Sequence, residues 1–236
     1  MMGTKPARIP RTHLALLGAL LVLGACNAPP VAEPGIHFVL ESPTGLDALN
    51  VDATAAVHSG KKCVRVVETV QGSGGGLALF SASDFYDGTI ELELSGRLHP
   101  DAAPNMRGFV GIAFRVHGTE KLQYECFYLR PTNGRAAEQL RRNHSTQYVS
   151  HPEFPWFRLR DEHPGVYESY ADLVPGEWTR VKIVADGSSA ALYLHGDEQP
   201  ALVVPELLGA DEAGAIGLWI GLGTEAHFRD LRIQQR

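Results

Sequence analysis

Short runs of alternating apolar and polar residues, separated by glycine, proline and aspartate, recur along the whole chain and constrain its fold more than any other feature. No apolar repeat near 3.6 residues lasts long enough to predict a helix. Many short strands with turn signals between them are typical of a sandwich or barrel. The pattern predicts strands at residues 36–40, 63–68, 77–80, 89–95, 108–116, 122–129, 178–185, 190–195, 201–204, 216–221 and 226–233.

The alternation also predicts how these strands are buried. Ile90, Leu92 and Leu94 fall on one side of their strand, opposite Glu91 and Glu93, so that strand has one face in water. The Asp-Gly pair at 186–187 predicts a tight hairpin, and two strands end the chain. Closure of a sheet by the C-terminus is typical of a jelly roll. We therefore expect an all-β, two-sheet antiparallel jelly-roll sandwich.

Two neighbouring strands carry small and semi-polar residues where a solvated face would carry charges. Gly111 and Ala113 lie on one face of strand 108–116, and Arg115 follows them in the alternation. Tyr124 and Tyr128 lie on the matching face of strand 122–129, and Arg130 follows them in the alternation. Such a face suits a binding surface. It predicts four ligand-binding residues: Arg115, Tyr124, Tyr128 and Arg130.

The polar segment at residues 130–168 is the predicted functional site. Connections longer than about 15 residues are uncommon in compact domains unless they bind something or are disordered. This segment is rich in aromatic residues, which disordered segments lack. We expect it to be ordered and to bind a ligand through Asn133, Arg142, Tyr148, Trp156, Arg160, Tyr167 and Glu168.

The N-terminus has the organisation of an export signal. Lys5, Arg8 and Arg11 precede an apolar run at residues 14–23 that is too short to span a bilayer. Residues 23–26, Leu-Gly-Ala-Cys, resemble the lipobox of bacterial lipoproteins, which implies cleavage after residue 25 and lipidation of Cys26. We expect a signal at residues 1–25, a lipidated cysteine and tether at 26–35, and one domain at 36–236. The mature protein would be exported and held at a bacterial membrane by its lipid alone.

The charge balance argues against nucleic acid as a partner. The chain has 21 Lys and Arg against 27 Asp and Glu, a net charge of -6, and no overall basic face for phosphates. A local cluster of Arg135, Arg141 and Arg142 can still hold an anionic group. Cys63 and Cys126 remain after the signal. Exported domains often pair such cysteines, but each lies in an apolar run and we favour two buried free thiols.

Several of these motifs resemble a known family. They are the runs at residues 85–91, 108–115, 175–183, 190–194, 214–219 and 228–233. Together they resemble concanavalin A-like lectin and glucanase domains, and within that fold the laminin-G-like and 3-keto-disaccharide hydrolase domains. The resemblance covers the chain from residue 85 to its end. It implies the fold and an extracytoplasmic role on carbohydrate, although one fold hosts many functions.

The resemblance stops short of a glucanase mechanism. Family 16 glucanases of this fold carry a Glu-x-Asp-x-x-Glu strand, and the sequence from Glu91 to Gly96 lacks the third carboxylate. Retaining glycosidases need two carboxylates about 5 Å apart. We therefore interpret Glu91 and Glu93 as a solvated strand face.

Two residues are candidates for acid or base chemistry. His144 follows two arginines and an asparagine, and a nearby carboxylate would place its pKa in a useful range. Glu125 shares its strand face with apolar residues, so either a bulge turns it into a cleft or an arginine pairs with it. A 3-keto glycoside, implied by the resemblance, has an acidic C–H beside its ketone, so one such base would suffice.

Three functions remain open on these residues. The first is a carbohydrate-binding module, the second a glycoside hydrolase or lyase acting on glycosides or 3-keto glycosides, and the third a lipoprotein that docks a partner protein. The histidines lack the close spacing of a zinc site, so we predict no metal and no cofactor. A calcium requirement and the oligomeric state stay open.

Overall fold

The computed structural model describes residues 35–69, 75–103, 105–119 and 121–236, together with Met1 and Gly3. The predicted apolar run, Cys26 and nearly all of the tether lie outside these residues. The described residues from 35 to 236 belong to one compact unit. None of the helices in the described part of the chain is long and apolar enough to cross a membrane.

The compact unit is built mainly of strands. The strands are β1 (Ile36–Phe38), β2 (Asp47–Leu49), β3 (Val51–His58), β4 (Lys61–Glu68), β5 (Gly76–Phe85), β6 (Gly88–Leu98), β7 (Val110–His117), β8 (Gln123–Leu129), β9 (Thr146–His151), β10 (Glu168–Ser169), β11 (Thr179–Asp186), β12 (Ser189–Leu194), β13 (Leu202–Val204), β14 (Gly214–Ile220) and β15 (Thr224–Gln235). Three short helices are α1 (Pro131–Gly134), α2 (Gln139–Arg142) and α3 (Trp156–Glu162).

These strands form two antiparallel sheets. The first sheet has the order β13-β12-β11-β6-β15-β4-β3, with β1 beside β15. The second has the order β10-β9-β8-β7-β14-β5-β2. Val110 of β7 lies under Gly96 of β6, where an added Cβ would come within 2.4 Å of the valine side chain. The two sheets therefore pack face to face, and the predicted two-sheet antiparallel sandwich is confirmed.

The alternation in the sequence explains how the sheets are buried. Ile90, Leu92 and Leu94 are buried in the core, whereas Glu91 is exposed and Glu93 pairs with Lys61 on the outer face of the first sheet. These two glutamates are strand-face residues, as predicted. The C-terminal strand β15 closes the first sheet between β6 and β4, and the predicted hairpin joins β11 to β12.

Both cysteines of the described domain are free and buried, which confirms the favoured prediction. Cys63 lies on β4 of the first sheet and Cys126 on β8 of the second. Burial raises the pKa of each thiol above its ordinary value, so both are neutral at physiological pH.

The polar segment after β8 is more structured than the sequence predicts. It contains α1, α2, β9, α3 and β10 in place of one long loop. Its strands β9 and β10 extend the second sheet beyond β8, and α3 packs beside β9. The segment is ordered, as expected, and it places its polar residues against the second sheet.

Candidate functional site

A single row of register partners crosses the outer face of the second sheet. Because Val110 faces the first sheet, its neighbour Gly111 faces outward. Gly111 is paired with Trp219 on β14 and with Tyr128 on β8. The row continues from Tyr128 to Gln147 on β9 and from Gln147 to Glu168 on β10. We call these five residues the cross-sheet row.

The row requires glycine at position 111. The rings of Tyr128 and Trp219 meet beside Gly111 with centroids 4.8 Å apart. A Cβ at Gly111 would lie 2.2 Å from the carbonyl oxygen of Phe127 and 2.6 Å from the Cβ of Tyr128. Phe109 stacks on the other side of Tyr128 at 5.6 Å. The small residue thus lets Trp219, Tyr128 and Phe109 pack together as an aromatic cluster.

The row ends at a buried carboxylate shared by three basic side chains. Glu168 is 8% exposed and accepts hydrogen bonds from Nε and Nη2 of Arg160, the shorter at 2.7 Å. Nη1 of Arg130 lies 3.8 Å from Oε2 of Glu168. Nδ1 of His144 lies 2.8 Å from the same oxygen, within ion-pair distance.

The surroundings of His144 keep its imidazole neutral. Burial lowers its pKa below the ordinary value, Arg160 and Arg130 lower it further, and Glu168 acts in the opposite direction. Since Nδ1 faces Glu168, Nε2 lies on the opposite edge of the ring. A neutral imidazole with that arrangement can accept a proton or a hydroxyl hydrogen bond at Nε2.

Arg130 is held in place almost entirely by uncharged groups. It is 4% exposed and donates to the carbonyl of His144 at 3.1 Å, the hydroxyl of Tyr128 at 2.9 Å and Oε1 of Gln147 at 3.0 Å. Its guanidinium also lies over the rings of Phe109 and Tyr128. These contacts fix a planar cation at the edge of the aromatic surface.

Two clefts open beside this cluster and share Leu140, His144 and Arg160. The first cleft has a volume of about 500 Å³ and is lined by more charged side chains than the second; we call it the Arg130 cleft. It is lined by Arg107, Phe109, Arg130, Asn133, Glu138, Leu140, Arg141, His144, Trp156 and Arg160. The second, of about 560 Å³, is lined by Leu140, Asn143, His144, Arg160, Pro164, Gly165, Glu168, Ser169 and Tyr170, and we call it the Tyr170 cleft.

Trp156 gives the Arg130 cleft an exposed aromatic wall. It begins α3 and is 43% exposed. The guanidinium of Arg160 lies 4.8 Å from its ring centre and that of Arg130 lies 5.8 Å away. The exposed Leu140 lines the same cleft, and an apolar patch rimmed by fixed polar groups is typical of a ligand site. The geometry is that of a site for a ligand with both an apolar face and hydroxyl groups.

The chain is similar in fold to several solved structures. A Bacillus subtilis protein of unknown function with a galectin-like fold has 13% identity and a TM-score of 0.57, covering 87% of this chain and 97% of its own. The carbohydrate binding module CBM66 from Bacillus subtilis has 15% identity and a TM-score of 0.51, covering 80% and 94%. A native glycosidic hydrolase has 10% identity and a TM-score of 0.51, covering 87% and 97%.

The sandwich is a jelly roll. This part of the sequence-based prediction is confirmed, and at these identities the similarity concerns the fold alone. No family model matches the chain, and no curated protein matches it.

Most of the residues predicted from the sequence meet at the two clefts. Six converge on one another through direct contacts or shared lining: Tyr128, Arg130, Asn133, His144, Trp156 and Arg160, with Glu168 at their base. Tyr124 lies on the same outer face, farther along β8, and stacks on His151 at 4.6 Å. Arg142 lies at the rim, where it donates to the hydroxyl of Tyr170.

Glu125 lies on the opposite side of the sheet from the clefts. It is 1% exposed and accepts hydrogen bonds from the hydroxyl of Tyr148 and, at 2.7 Å, from the backbone N–H of Gly209. Burial raises its pKa above the ordinary value. The pairing of β8 is regular at Glu125, so no bulge turns it toward a cleft. Tyr148, Gly209 and Ser150 bind the carboxylate, and the charge of the nearby Arg115 partly offsets the effect of burial on its pKa. The structure therefore gives Glu125 a structural position and no contact with the candidate site.

Tyr148 and Tyr167 belong to the same interior group and not to a cleft. Tyr148 is fully buried, and its hydroxyl also accepts the N–H of Leu208 at 2.7 Å. Tyr167 packs on Tyr148 at 5.2 Å and donates to the carbonyl of Glu206. These tyrosines hold the segment after β13, so the ligand-binding role predicted for them is not supported.

Arg115 also departs from its predicted position. The register of β7 shifts between Phe114 and His117, and Arg115 has a positive φ of 51°. Its side chain is 2% exposed and binds the carboxylate of Asp87 and the carbonyl of Gly187. Because the alternation is broken at Arg115, its side chain bridges two hairpin turns and lies away from the ligand face.

Three residues of the site were not predicted from the sequence. Strand register places Trp219 beside Gly111, and Phe109 and Leu140 line the Arg130 cleft. Gly217 and Trp219 have the alternation of an outward face, which is a usable signal, but their alignment with Tyr128 depends on strand order. Among the described residues no group of His, Cys, Asp or Glu has the arrangement of a metal site.

Proposed function

We propose that the protein binds carbohydrate in the Arg130 cleft, which the cross-sheet row supports from below the surface. The observation that carries the proposal is the exposed Trp156 ring beside fixed planar donors. Aromatic faces pack against the C–H groups of sugar rings, and guanidinium and amide groups bridge neighbouring hydroxyls. Arg107 and Arg141 supply guanidinium groups on side chains that are not fully buried, and Arg130 and Asn133, both anchored to the carbonyl of His144, line the same cleft.

The fold supports the same class of ligand. The structural neighbours include a carbohydrate binding module and a glycosidic hydrolase, each aligned over more than 90% of its own length. The resemblance seen in the sequence to lectin and glucanase domains points the same way. Since neighbours at this identity share only the fold, the residues of the cleft carry the argument.

Binding to a panel of neutral glycans tests the proposal. Trp156→Ala should weaken binding by about 1 to 3 kcal/mol, because it removes the stacking surface. Tyr193→Ala is the matched control, since Tyr193 is an aromatic residue on β12 of the first sheet. Equal losses in the two variants, or no binding by the unaltered protein to any glycan, would contradict the assignment of the cleft. Competition by free sugars distinguishes this function from docking of a protein partner.

A second candidate function, glycoside cleavage, is favoured by the contact between His144 and Glu168. A neutral imidazole positioned by a carboxylate is suited to act as a general base. On a 3-keto glycoside, Nε2 of His144 would accept the proton from the carbon beside the ketone. The electron pair of that C–H bond would form a carbon–carbon double bond as the C–O bond of the adjacent carbon breaks, and the imidazolium of His144 would return its proton to the leaving oxygen.

Product formation separates the two functions. The protein is incubated with glycosides and their 3-keto forms while both product and thermal stabilisation are measured. Turnover that is lost in His144→Gln but kept in Glu125→Gln would establish an enzyme with His144 as its base. Thermal stabilisation without product supports binding alone.

We further propose that the domain is exported and tethered to a bacterial membrane through lipid on Cys26. The support is the basic, apolar and small-residue order of the first 26 residues. Cys26→Ser should release the protein from the membrane fraction of the producing bacterium while export continues. Retention of the variant in that fraction would count against the lipid anchor.

A further inference from the structure

The Arg130 cleft carries a positive charge excess within an acidic protein. Four arginines and one glutamate line it, namely Arg107, Arg130, Arg141, Arg160 and Glu138, and Glu168 lies against its wall. The whole chain has 21 Lys and Arg against 27 Asp and Glu. A local excess opposite in sign to the net charge attracts ligands of the opposite sign.

The buried part of this charge is incompletely neutralised. Glu168 already receives the two short contacts from Arg160, and Arg130 is 3.8 Å from it. One carboxylate therefore serves two guanidinium groups. All three hydrogen bonds from Arg130 go to uncharged acceptors. A guanidinium that is 4% exposed and lacks its own anion is costly to bury.

Two further arginines stand at the cleft without a carboxylate. Arg141 donates to Oδ1 of Asn133 at 3.0 Å and to the carbonyl of Thr132 at 3.3 Å, both uncharged. Arg107 is exposed, and its guanidinium makes no hydrogen bond or ion pair with another described residue. The hydroxyl of Thr132 donates to the backbone carbonyl of Arg107, so both arginines are joined to one residue.

The other arginines of the predicted anion cluster do not contribute. Arg135 donates through Nε and Nη2 to the two carboxylate oxygens of Asp172, the shorter at 2.7 Å. Arg142 faces Tyr170. Of the predicted cluster, Arg141 therefore supplies positive charge to the Arg130 cleft, which the exposed ring of Trp156 also lines.

We infer that the ligand is an acidic glycan, in which a carboxylate on the sugar binds Arg107 and Arg141 while the sugar ring packs on Trp156. This inference rests on the proposed carbohydrate binding and specifies its substrate class. A planar carboxylate matches the paired donors of a guanidinium, and charge-assisted hydrogen bonds are stronger than those to hydroxyls. Hexuronate units present both features on one ring.

Matched pairs of acidic and neutral oligosaccharides test the inference. Oligogalacturonate, oligoglucuronate and oligomannuronate of equal length are compared with their methyl esters by calorimetry on the purified protein. At least one acid should bind about tenfold more tightly than its ester at low salt, which corresponds to about 1.4 kcal/mol. The ratio should fall as ionic strength rises. A sulfated galactan oligomer that binds more tightly than every uronate would overturn the carboxylate assignment.

Charge-removing variants locate the effect. Arg107→Gln and Arg141→Gln should each reduce the ratio of acid to ester affinity by several fold. Arg135→Gln removes the same charge from an arginine neutralised by Asp172, and the ratio should not change. An equal fall in all three variants would indicate a general charge effect and overturn the site.

The outcomes distinguish this inference from the proposal on which it rests. Equal affinity for acids and esters, or binding confined to neutral glycans, overturns the acidic preference and leaves carbohydrate binding in place. Absence of binding to every acid, every ester and every neutral glycan overturns both.

Discussion

At the scale of single residues, Glu168 organises the candidate site. It ends the cross-sheet row, binds Arg160 and lies beside His144, and Nη1 of Arg130 is 3.8 Å away. A buried carboxylate is rare unless basic groups surround it. Glu168 therefore links the strand framework to the chemistry of the two clefts.

Replacing Glu168 by glutamine should destabilise the protein. The change leaves the guanidinium groups of Arg130 and Arg160 without their shared anion, and removing one partner of a buried pair costs about 3 kcal/mol or more. Because Arg160 is partly solvated, we expect a loss of about 2 to 3 kcal/mol in the free energy of unfolding. Urea unfolding of the variant and the unaltered protein measures this loss.

The control makes the same chemical change at the surface. Glu162 pairs with Arg158, and both side chains are well exposed. Glu162→Gln should cost no more than about 0.5 kcal/mol. In Glu168→Gln the pKa of His144, followed by NMR, should fall further, because Glu168 opposes the lowering. Similar stabilities for the two variants would contradict the role assigned to Glu168.

At the scale of elements, strand register decides which side chains form the site. Pairing places Trp219 and Tyr128 on either side of Gly111 although they are far apart in sequence. A slip of one residue would turn Tyr128 inward and bring Phe127 to the ligand face. Formation of the aromatic cluster therefore depends on Gly111 as much as on the aromatic residues.

The close packing at Gly111 gives a direct prediction. Gly111→Ala should destabilise the protein by about 1 to 3 kcal/mol, because the new Cβ meets a backbone oxygen at 2.2 Å. Gly217→Ala is the control on the same face, where the neighbours are the flexible ends of Leu77 and Leu79 at 2.9 Å. Thermal unfolding should show the smaller loss for Gly217→Ala. The reverse order would contradict the register described here.

The outer face of the first sheet carries a separate pH dependence. His227 is 4% exposed and stacks on His58 with ring centres 4.1 Å apart. Trp178 and Glu225 also face it, the latter at 3.7 Å. Burial, followed by the charge of His58, lowers the pKa of His227 to about 4.

The sign of this dependence follows from linkage. The unfolded chain protonates His227 near pH 6.5 and the folded protein only near pH 4, so the unfolded state binds more protons between these values. Stability is thus lost as pH falls through this window, by about 2 kcal/mol between pH 7 and pH 5. Glu225, with a pKa of about 2, contributes only below pH 4.5. His227→Gln should flatten the dependence measured by urea unfolding, and an unchanged slope would contradict it.

The elements also show what the sequence could and could not predict. Strands such as β6 and β11 were predictable because their apolar residues alternate. Strand β9 was not, since its inward face carries Thr146, Tyr148 and Ser150, whose hydroxyls interrupt the apolar pattern. Helix α3 has seven residues, too few to establish a helical repeat. Strands could therefore be predicted where apolar residues alternate regularly, and could not be predicted where buried polar side chains bind one another.

The same limit applies to the site. His144, Arg130, Trp156 and Glu168 were predictable as members of a polar, aromatic segment that the fold had to use. Glu125 was assigned to catalysis because its buried partners, a phenol and a backbone amide, leave no sequence signal. Pairing partners distant in the chain are fixed only by the strand order.

At the scale of the whole molecule, the two outer faces differ in chemistry. The first sheet presents charged pairs such as Lys61 with Glu93, typical of a solvated surface. The second presents aromatic rings that lead to a basic cleft. In a protein of net charge -6, this difference between the two outer faces favours ligand binding at the second sheet.

The chain's three tryptophans report on these faces separately. Trp156 lies at the Arg130 cleft, Trp219 in the cross-sheet row, and Trp178 against His58 on the first sheet. The most direct measurement is an NMR titration of the three indole N–H signals with a bound glycan. We predict the largest shift at Trp156, a smaller one at Trp219 and none at Trp178. Saturable binding that moves Trp178 and leaves Trp156 unchanged would contradict the site.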